Sequence, residues 1–335
     1  MVQKGWIHKI NGTILIMSGL IIIFSMNLYG CSKEKDLRVD NEHQYVLSND
    51  MEGGTPESII TPESVIEEDE TQIKNTEPII KEADWSSSFE GINGAAVIYD
   101  PSENCYQIYN QELALTQRPP CSTFKIISSL IALENGIIQP DNSTRTWSGE
   151  IFPNEEWNTD IDFSDAFRAS CVWYFREVID EIGKDTIQEE LNRLEYGNCD
   201  ISDWYGRLNT NTDNPVLTGF WLESSLLISP KEQVELMERI FGDDTYYSER
   251  TLEQLKQVML LSEQSKGDVS IYGKTGMGMS YSIVVDSWYT GFADIVGKKI
   301  YFCVYLGETE NEDVSSSRAR EIAVEIVSGM DVGHK

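Results

Sequence analysis

The stretch RPPCSTFKIISSLIALENG, residues 118–136, carries its own punctuation. Two prolines precede it and a glycine ends it. Between them Ile126, Ile127, Leu130, Ile131 and Leu133 leave little polar face, which predicts a buried helix. Its opening turn is the exception. Ser122 and Lys125 stand three residues apart, so a hydroxyl and an amine share one helix face. One explanation is an N-cap serine and a lysine that reaches out to water along its apolar stem. The other is a nucleophile beside its base. A serine hydroxyl attacks poorly until a base takes its proton. A lysine can be that base only if burial pulls its pKa down from about 10.4 towards neutrality. The flanking FKIISSLIAL supplies the apolar surroundings that this needs.

Working outward, the 335 residues are enough for one large core or two modest ones, and 40% of them are hydrophobic. A formal charge of −30 repels phosphate backbones, so no nucleic-acid partner is expected. The three histidines, His8, His43 and His334, lie near the chain ends, and neither a CxxC pair nor an HExxH motif occurs. The sequence therefore predicts no metal site, and no histidine is at hand to activate Ser122.

The N-terminus reads as an export signal. Lys4, His8 and Lys9 precede TILIMSGLIIIFSM (13–26), an apolar core of signal-peptide length, and LYGC (28–31) closes it. This end resembles the lipobox of bacterial lipoproteins, which implies cleavage before Cys31 and lipidation of its sulfur. An uncleaved membrane anchor is the alternative. Either way the rest of the chain is expected outside the cytoplasmic membrane, held to its outer face, with a Gram-positive surface the favoured setting. Residues 31–84 include TPESIITPESVIEEDE (55–70) and too little apolar surface to order themselves, so they read as an acidic tether. The remaining cysteines, Cys105, Cys121, Cys171, Cys199 and Cys303, are odd in number and lack framework spacing. They are read as buried free thiols, with a Cys121–Cys171 disulfide as the alternative.

The folded domain is placed at residues 85–335. GAAVIYDPSENCYQIYN (94–110) is two apolar runs around a turn, the signature of a hairpin. Helical patterns run from Ser122 to about Leu261. YSIVVDSWYTGFAD (281–294) and KKIYFCVYLGE (298–308) return to strand character, and SSSRAREIAVEIVSGM (315–330) closes with a helix. The expected fold is mixed α/β: a central antiparallel β-sheet from sequence-distant strands, flanked by helices, with a mainly helical lobe beside it. The cleft between lobe and sheet is where a site is expected.

Two further segments fit such a site. Ser170 lies in ASCVWYFREVIDEIG (169–183), at the start of another helix. IYGKTGMG (271–278) leads a strand into Lys274, Thr275 and Gly276, an amine and a hydroxyl suited to an anionic group beside a residue small enough for close approach. Ser-x-x-Lys, a middle serine and Lys-Thr-Gly in this order resemble the penicillin-recognising serine acyl-transferases, with their DD-peptidase/β-lactamase fold. Within them, residues 90–330 resemble the class D β-lactamases, the oxacillinases. The matching residues are CSTFKI (121–126), Ser170-Cys171-Val172, Tyr196-Gly197-Asn198, FWLESSLLISPKEQVELM (220–237) and SWYTGFAD (287–294). Class A is disfavoured, because Gln188 stands where its Glu-x-x-x-Asn loop would place the glutamate.

The resemblance implies β-lactam antibiotics as substrates and no diffusible cofactor, but a Lys125 carboxylated on Nζ by CO2 or bicarbonate. Phe124, Val172 and Leu222 would wall that group, and the Trp221 indole N–H would donate to it. It implies acylation of Ser122, with the oxyanion between the N–H groups of Ser122 and Tyr289, and Ser170 relaying a proton. Lys274, Thr275 and Arg318 would hold the substrate carboxylate, with Arg320 as the alternative arginine. Tyr196, Gly197 and Asn198 are carried over as a motif. The rival reading is a sensor or penicillin-binding domain that is acylated without turnover. Sensors of this kind carry a multi-helix membrane region and a zinc-protease motif, neither of which is found in this sequence. A transpeptidase or carboxypeptidase, and a non-enzymatic binding protein, fit the class D motifs less well.

Overall fold

The structure is a computed structural model that describes residues 77–207, 214–261, 269–295, 298–310, 312 and 314–330. The stretch read as a signal segment (1–30), Cys31 and the stretch read as a tether, as far as residue 76, lie outside the described residues.

The chain enters through β1 (Ile79–Glu82) and α1 (Ser86–Phe89), then folds the expected hairpin, β2 (Gly94–Asp100) and β3 (Cys105–Tyr109). β1 corrects the boundary drawn at Trp85. It pairs in parallel with β3 along the sheet's edge, and its four side chains are all exposed. With nothing buried it has no apolar alternation, so it resembles tether in sequence.

Next come α2 (Gln111–Ala114), α3 (Lys125–Glu134), α4 (Phe163–Arg168), α5 (Val172–Ile182), α6 (Lys184–Arg193), α7 (Pro230–Phe241) and α8 (Glu249–Met259). Three strands, β4 (Val269–Ser280), β5 (Ile283–Ile295) and β6 (Lys298–Gly307), and the final helix α9 (Ser316–Met330) complete the fold. The sheet runs β1-β3-β2-β6-β5-β4. Every pairing in it except β1 with β3 is antiparallel.

Alternation along β5 decides which side of the sheet each residue serves. Trp288 and Phe292 join the larger core, under the helical lobe, whereas Tyr289 and Ala293 join a second core under α9. In α3 the buried run extends from Lys125 to Leu133, and burying each of its large aliphatic side chains contributes about 1.5–3 kcal/mol. β4 is the sheet's other edge, and it lies against the turn that opens α3. A Cβ on Gly276 would come within 2.9 Å of Pro120 O and 3.0 Å of Thr123 Cγ2, so only glycine lets strand and turn meet this closely.

Candidate active site

The turn before α3 is a short 3-10 segment, Cys121–Phe124, and is held from three sides. The Cys121 N–H donates to Trp221 O at 3.0 Å. The Thr123 hydroxyl donates to Pro120 O at 2.7 Å and accepts from the buried Gln233 amide at 2.9 Å. Cys121 itself has φ +50°, a left-handed backbone that costs a non-glycine residue roughly 1–2 kcal/mol. This bend delivers Ser122 to the edge of β4.

Lys125 is 1% exposed, and its Nζ lies 3.0 Å from Ser122 Oγ and 5.4 Å from the centre of the Phe175 ring. Burial pulls its pKa down to about 8, against a small upward pull from the neighbouring Cys171 and Cys121. Those thiols supply little charge, because burial pushes Cys171 up to about 11 and Cys121 well above its usual range. The amine can thus shed its proton near neutral pH and accept from the Ser122 hydroxyl. The five described cysteines are free.

Phe124, next to Lys125 in the chain, belongs to an aromatic cluster. Phe124 stacks on Trp221 at 6.1 Å and meets Phe220 and Tyr196 edge-on at 5.2 and 5.7 Å. The Arg176 guanidinium lies 5.3 Å from the Trp221 ring centre. Trp221 is fully buried, yet its indole Nε1 has no hydrogen-bond partner among the described residues. A buried indole N–H left unpaired costs about 1–3 kcal/mol, so it marks a place where an acceptor belongs.

The Tyr-Gly-Asn motif clamps the segment that carries this tryptophan. The Asn198 N–H donates to Leu227 O at 3.0 Å, its amide to Ser225 O at 2.8 Å, and its Oδ1 accepts from Leu227 N at 2.9 Å. Gly197 has φ +45°, and a Cβ there would lie 2.0 Å from Leu227 O. A side chain at Gly197 would break the clamp.

A second lysine–serine pair faces the first. Ser170 sits between α4 and α5 with φ +55°, and Lys274 Nζ donates to its Oγ at 2.5 Å and to Thr275 O at 3.1 Å. Lys274 is buried, and desolvation, with the nearby Lys125 amine second, holds its pKa well below the usual lysine range. Two amines without a neighbouring carboxylate among the described residues make a region that an anion would stabilise.

Ser122, Ser170, Val172, Leu222, Thr275 and Gly276 line one cavity of about 270 Å3. Sequence had not singled out its other walls, Asn154, Trp157, Ala169, Met277 and Ser316. Met277 could have been found from its place directly after Lys-Thr-Gly. A larger cavity, about 660 Å3 and lined by Glu238, Asp294, Lys298 and Tyr301 among others, contains none of this chemistry. No cluster of three or more possible metal-ligating His, Cys, Asp or Glu occurs among the described residues.

Two expectations need correction. Tyr289 does not offer an oxyanion donor. It lies on β5, between β4 and β6 and in register with Thr275 and Val304, so its backbone groups belong to the ladder. Its ring packs against Phe302 on the α9 side, at 5.4 Å. The strand beside Ser122 is the edge strand β4, through Met277. Arg318 also points elsewhere: its guanidinium donates to Glu90 at 2.8 Å, Ser88 O at 3.2 Å and Glu321 at 3.3 Å. Arg320, two residues and about 200° further round the helix, lines a cavity of about 230 Å3 with Gly273, Lys274, Thr275 and Tyr289.

The chain matches the family described as "Penicillin binding protein transpeptidase domain" over residues 94–328. It is 32% identical over 247 residues to the regulatory protein BlaR1 of Bacillus licheniformis; the match takes in 73% of this chain but 38% of that protein's length. Against beta-lactamase OXA-1 of Escherichia coli it is 30% identical over 253 residues, 74% of this chain and 88% of the enzyme. The crystal structure of FUS-1 (OXA-85), a class D beta-lactamase from Fusobacterium nucleatum subsp. polymorphum, superposes with a TM-score of 0.64 at 28% identity. That likeness covers 76% of this chain and 100% of that one.

Proposed function

The chain belongs to the penicillin-binding transpeptidase family, in the branch that holds the class D β-lactamases, and from that premise we propose that it hydrolyses the β-lactam ring of penicillin-type antibiotics. One observation carries the reading. An amine able to lose its proton near neutral pH lies beside Ser122 Oγ, and the buried Trp221, whose ring stacks on neighbouring Phe124, has an indole N–H without a partner among the described residues.

Ser122 attacks the lactam carbonyl, and its proton leaves towards Lys125 Nζ, 3.0 Å away. The developing oxyanion sits between the backbone N–H groups of Ser122 and Met277, two residues of one cavity. As the C–N bond breaks, Ser170 Oγ passes a proton to the ring nitrogen and is resupplied by Lys274 Nζ, bonded to it at 2.5 Å. Thr275, Lys274 and Arg320 hold the substrate carboxylate. The second half of the cycle needs a base that activates water against the Ser122 ester. Carboxylation of the neutral Lys125 amine by CO2 or bicarbonate before the substrate arrives would supply one anionic base for both halves, first for the Ser122 proton and then for water. The residues fit the group: a neutral amine can take up CO2, Trp221 Nε1 can donate to the new anion, and Val172 and Phe124 offer no polar competitor.

The BlaR1 likeness favours a second reading, a sensor that stays acylated. Intact mass of the Cys31→Ser chain in excess benzylpenicillin, with and without bicarbonate, separates the two. Return to the free mass, faster with bicarbonate, supports hydrolysis. A penicilloyl adduct that lasts for hours makes the protein a sensor.

We propose also that Cys31 is lipidated and that the acidic segment tethers the domain to the outer face of the cytoplasmic membrane. Metabolic labelling with a palmitate analogue tests this. Label that survives Cys31→Ser would overturn it.

A further inference from the structure

We propose that the three residues Trp221–Glu223 form a brace that fixes the spacing of the two oxyanion donors, and that Glu223 is its positioning residue. This rests on the acyl-transfer reading of the site. One end of the brace holds the nucleophile turn: Trp221 O accepts the N–H of Cys121, the residue before Ser122, at 3.0 Å. The other end holds β4: Glu223 Oε1 accepts the N–H of Met279, two residues beyond Met277, at 2.7 Å. Both donor-bearing segments are therefore tied to one short piece of chain.

The strand needs such a tie at this point. The β4–β5 register shifts between Gly278 and Met279, an irregularity that loosens the ladder's grip on the strand end. The strand also lies directly on the nucleophile turn there, since a Cβ on Gly278 would meet Cys121 Sγ at 3.0 Å and Asp286 Oδ2 at 3.1 Å. Glu223 has φ +50°, a backbone that glycine or asparagine would adopt more cheaply. Glutamate at a left-handed position is explained by its carboxylate, which reaches Met279.

The test compares wild type with Glu223→Gly and Glu223→Gln. Acylation by benzylpenicillin is read by rapid-quench mass spectrometry. Affinity for a boronic acid with the benzylpenicillin side chain is measured alongside, because its tetrahedral adduct places an oxygen between the two donors. Removing one oxyanion donor outright typically costs 10²–10³ in rate, so displacing one should cost about tenfold. Glu223→Gly should lose about tenfold in both acylation rate and boronate affinity, while its melting temperature stays level or rises as the backbone relaxes. Glu223→Gln, which keeps an acceptor, should recover most of both. Unchanged boronate affinity in Glu223→Gly, whatever happens to its stability, would overturn the brace and leave the proposed function standing. A wild-type chain that forms no Ser122 adduct would overturn both.

Discussion

The site holds two lysine–serine pairs of opposite origin. Lys125 reaches Ser122 across a single helical turn, while Lys274 reaches Ser170 across 104 residues of sequence and two different layers of the fold. Both amines are buried without a carboxylate counter-ion among the described residues, and burial lowers both pKa values. The difference lies in what surrounds them. Each has one aromatic ring nearby, Phe175 for Lys125 and Phe167 for Lys274, but Lys125 has Ser122 as its hydrogen-bond partner, whereas Lys274 bonds Ser170 and also the carbonyl and hydroxyl of Thr275. The amine beside the nucleophile is placed to take a proton from it, and the amine that bridges Ser170 and Thr275 is placed to pass one on.

That division can be broken by substitution. Lys125→Met should lower benzylpenicillin turnover by about 10³-fold, the range of a lost general base, and leave any penicilloyl adduct on Ser122 in place. Lys274→Met should cost about 10²-fold, concentrated in the acylation step, and any adduct that forms should still turn over. If the two variants stall at the same step, the division of labour is wrong. Trp221→Phe keeps the aromatic cluster and deletes the unpaired N–H. It should lose about 10²-fold in deacylation and all response to bicarbonate, a loss of the size expected for a supporting hydrogen bond. Arg320→Ala should raise KM about tenfold, as expected for a lost charge-assisted contact, while Arg318→Ala leaves it within about twofold. Equal effects at the two arginines would return the carboxylate site to the choice the sequence left open.

The smallest effect concerns stability. The Lys125 pKa is about 8 in the folded chain and 10.5 ordinarily, so between these values the unfolded chain binds the extra proton. Across that window folding stability should therefore rise by more, or fall by less, in wild type than in Lys125→Met. Urea titrations of both proteins at pH 8 and 9.5 measure the difference, because the cysteines and tyrosines that also ionise are common to the two. An equal change in the two proteins would mean that Lys125 stays protonated.

The two pairs also mark how far sequence could be read. Ser122–Lys125 was legible because a helix turns spacing into contact, and the hairpin at 94–110 because alternation and a turn coincide. The Lys274–Ser170 contact was not legible, since no spacing joins a strand to a distant interhelical bend. Tyr289 was misassigned for a related reason. Linear order gives the sequence of strands but not which of them is the edge, and only an edge strand can turn backbone groups towards Ser122. Arg318 and Arg320 look equivalent on paper, and the helix phase that sends one towards Glu90 is set by how α9 docks. Glu223 carried no signal beyond its place after Trp-Leu, because its partner is a backbone N–H that has no letter of its own.

β1 has a practical consequence for shortened versions of this protein. A fragment cut at Trp85, where the polar segment ends by composition, would lose Ile79–Glu82 and bare β3 from Cys105 to Ile108. In the intact domain the outermost strand is four residues long and carries Lys81 and Glu82, two features that discourage strand-to-strand docking between molecules. β3 carries no charge along Cys105–Tyr109. The cut fragment should therefore keep its pocket and lose its colloidal stability, self-associating at concentrations where a fragment that begins at residue 77 or earlier stays monomeric.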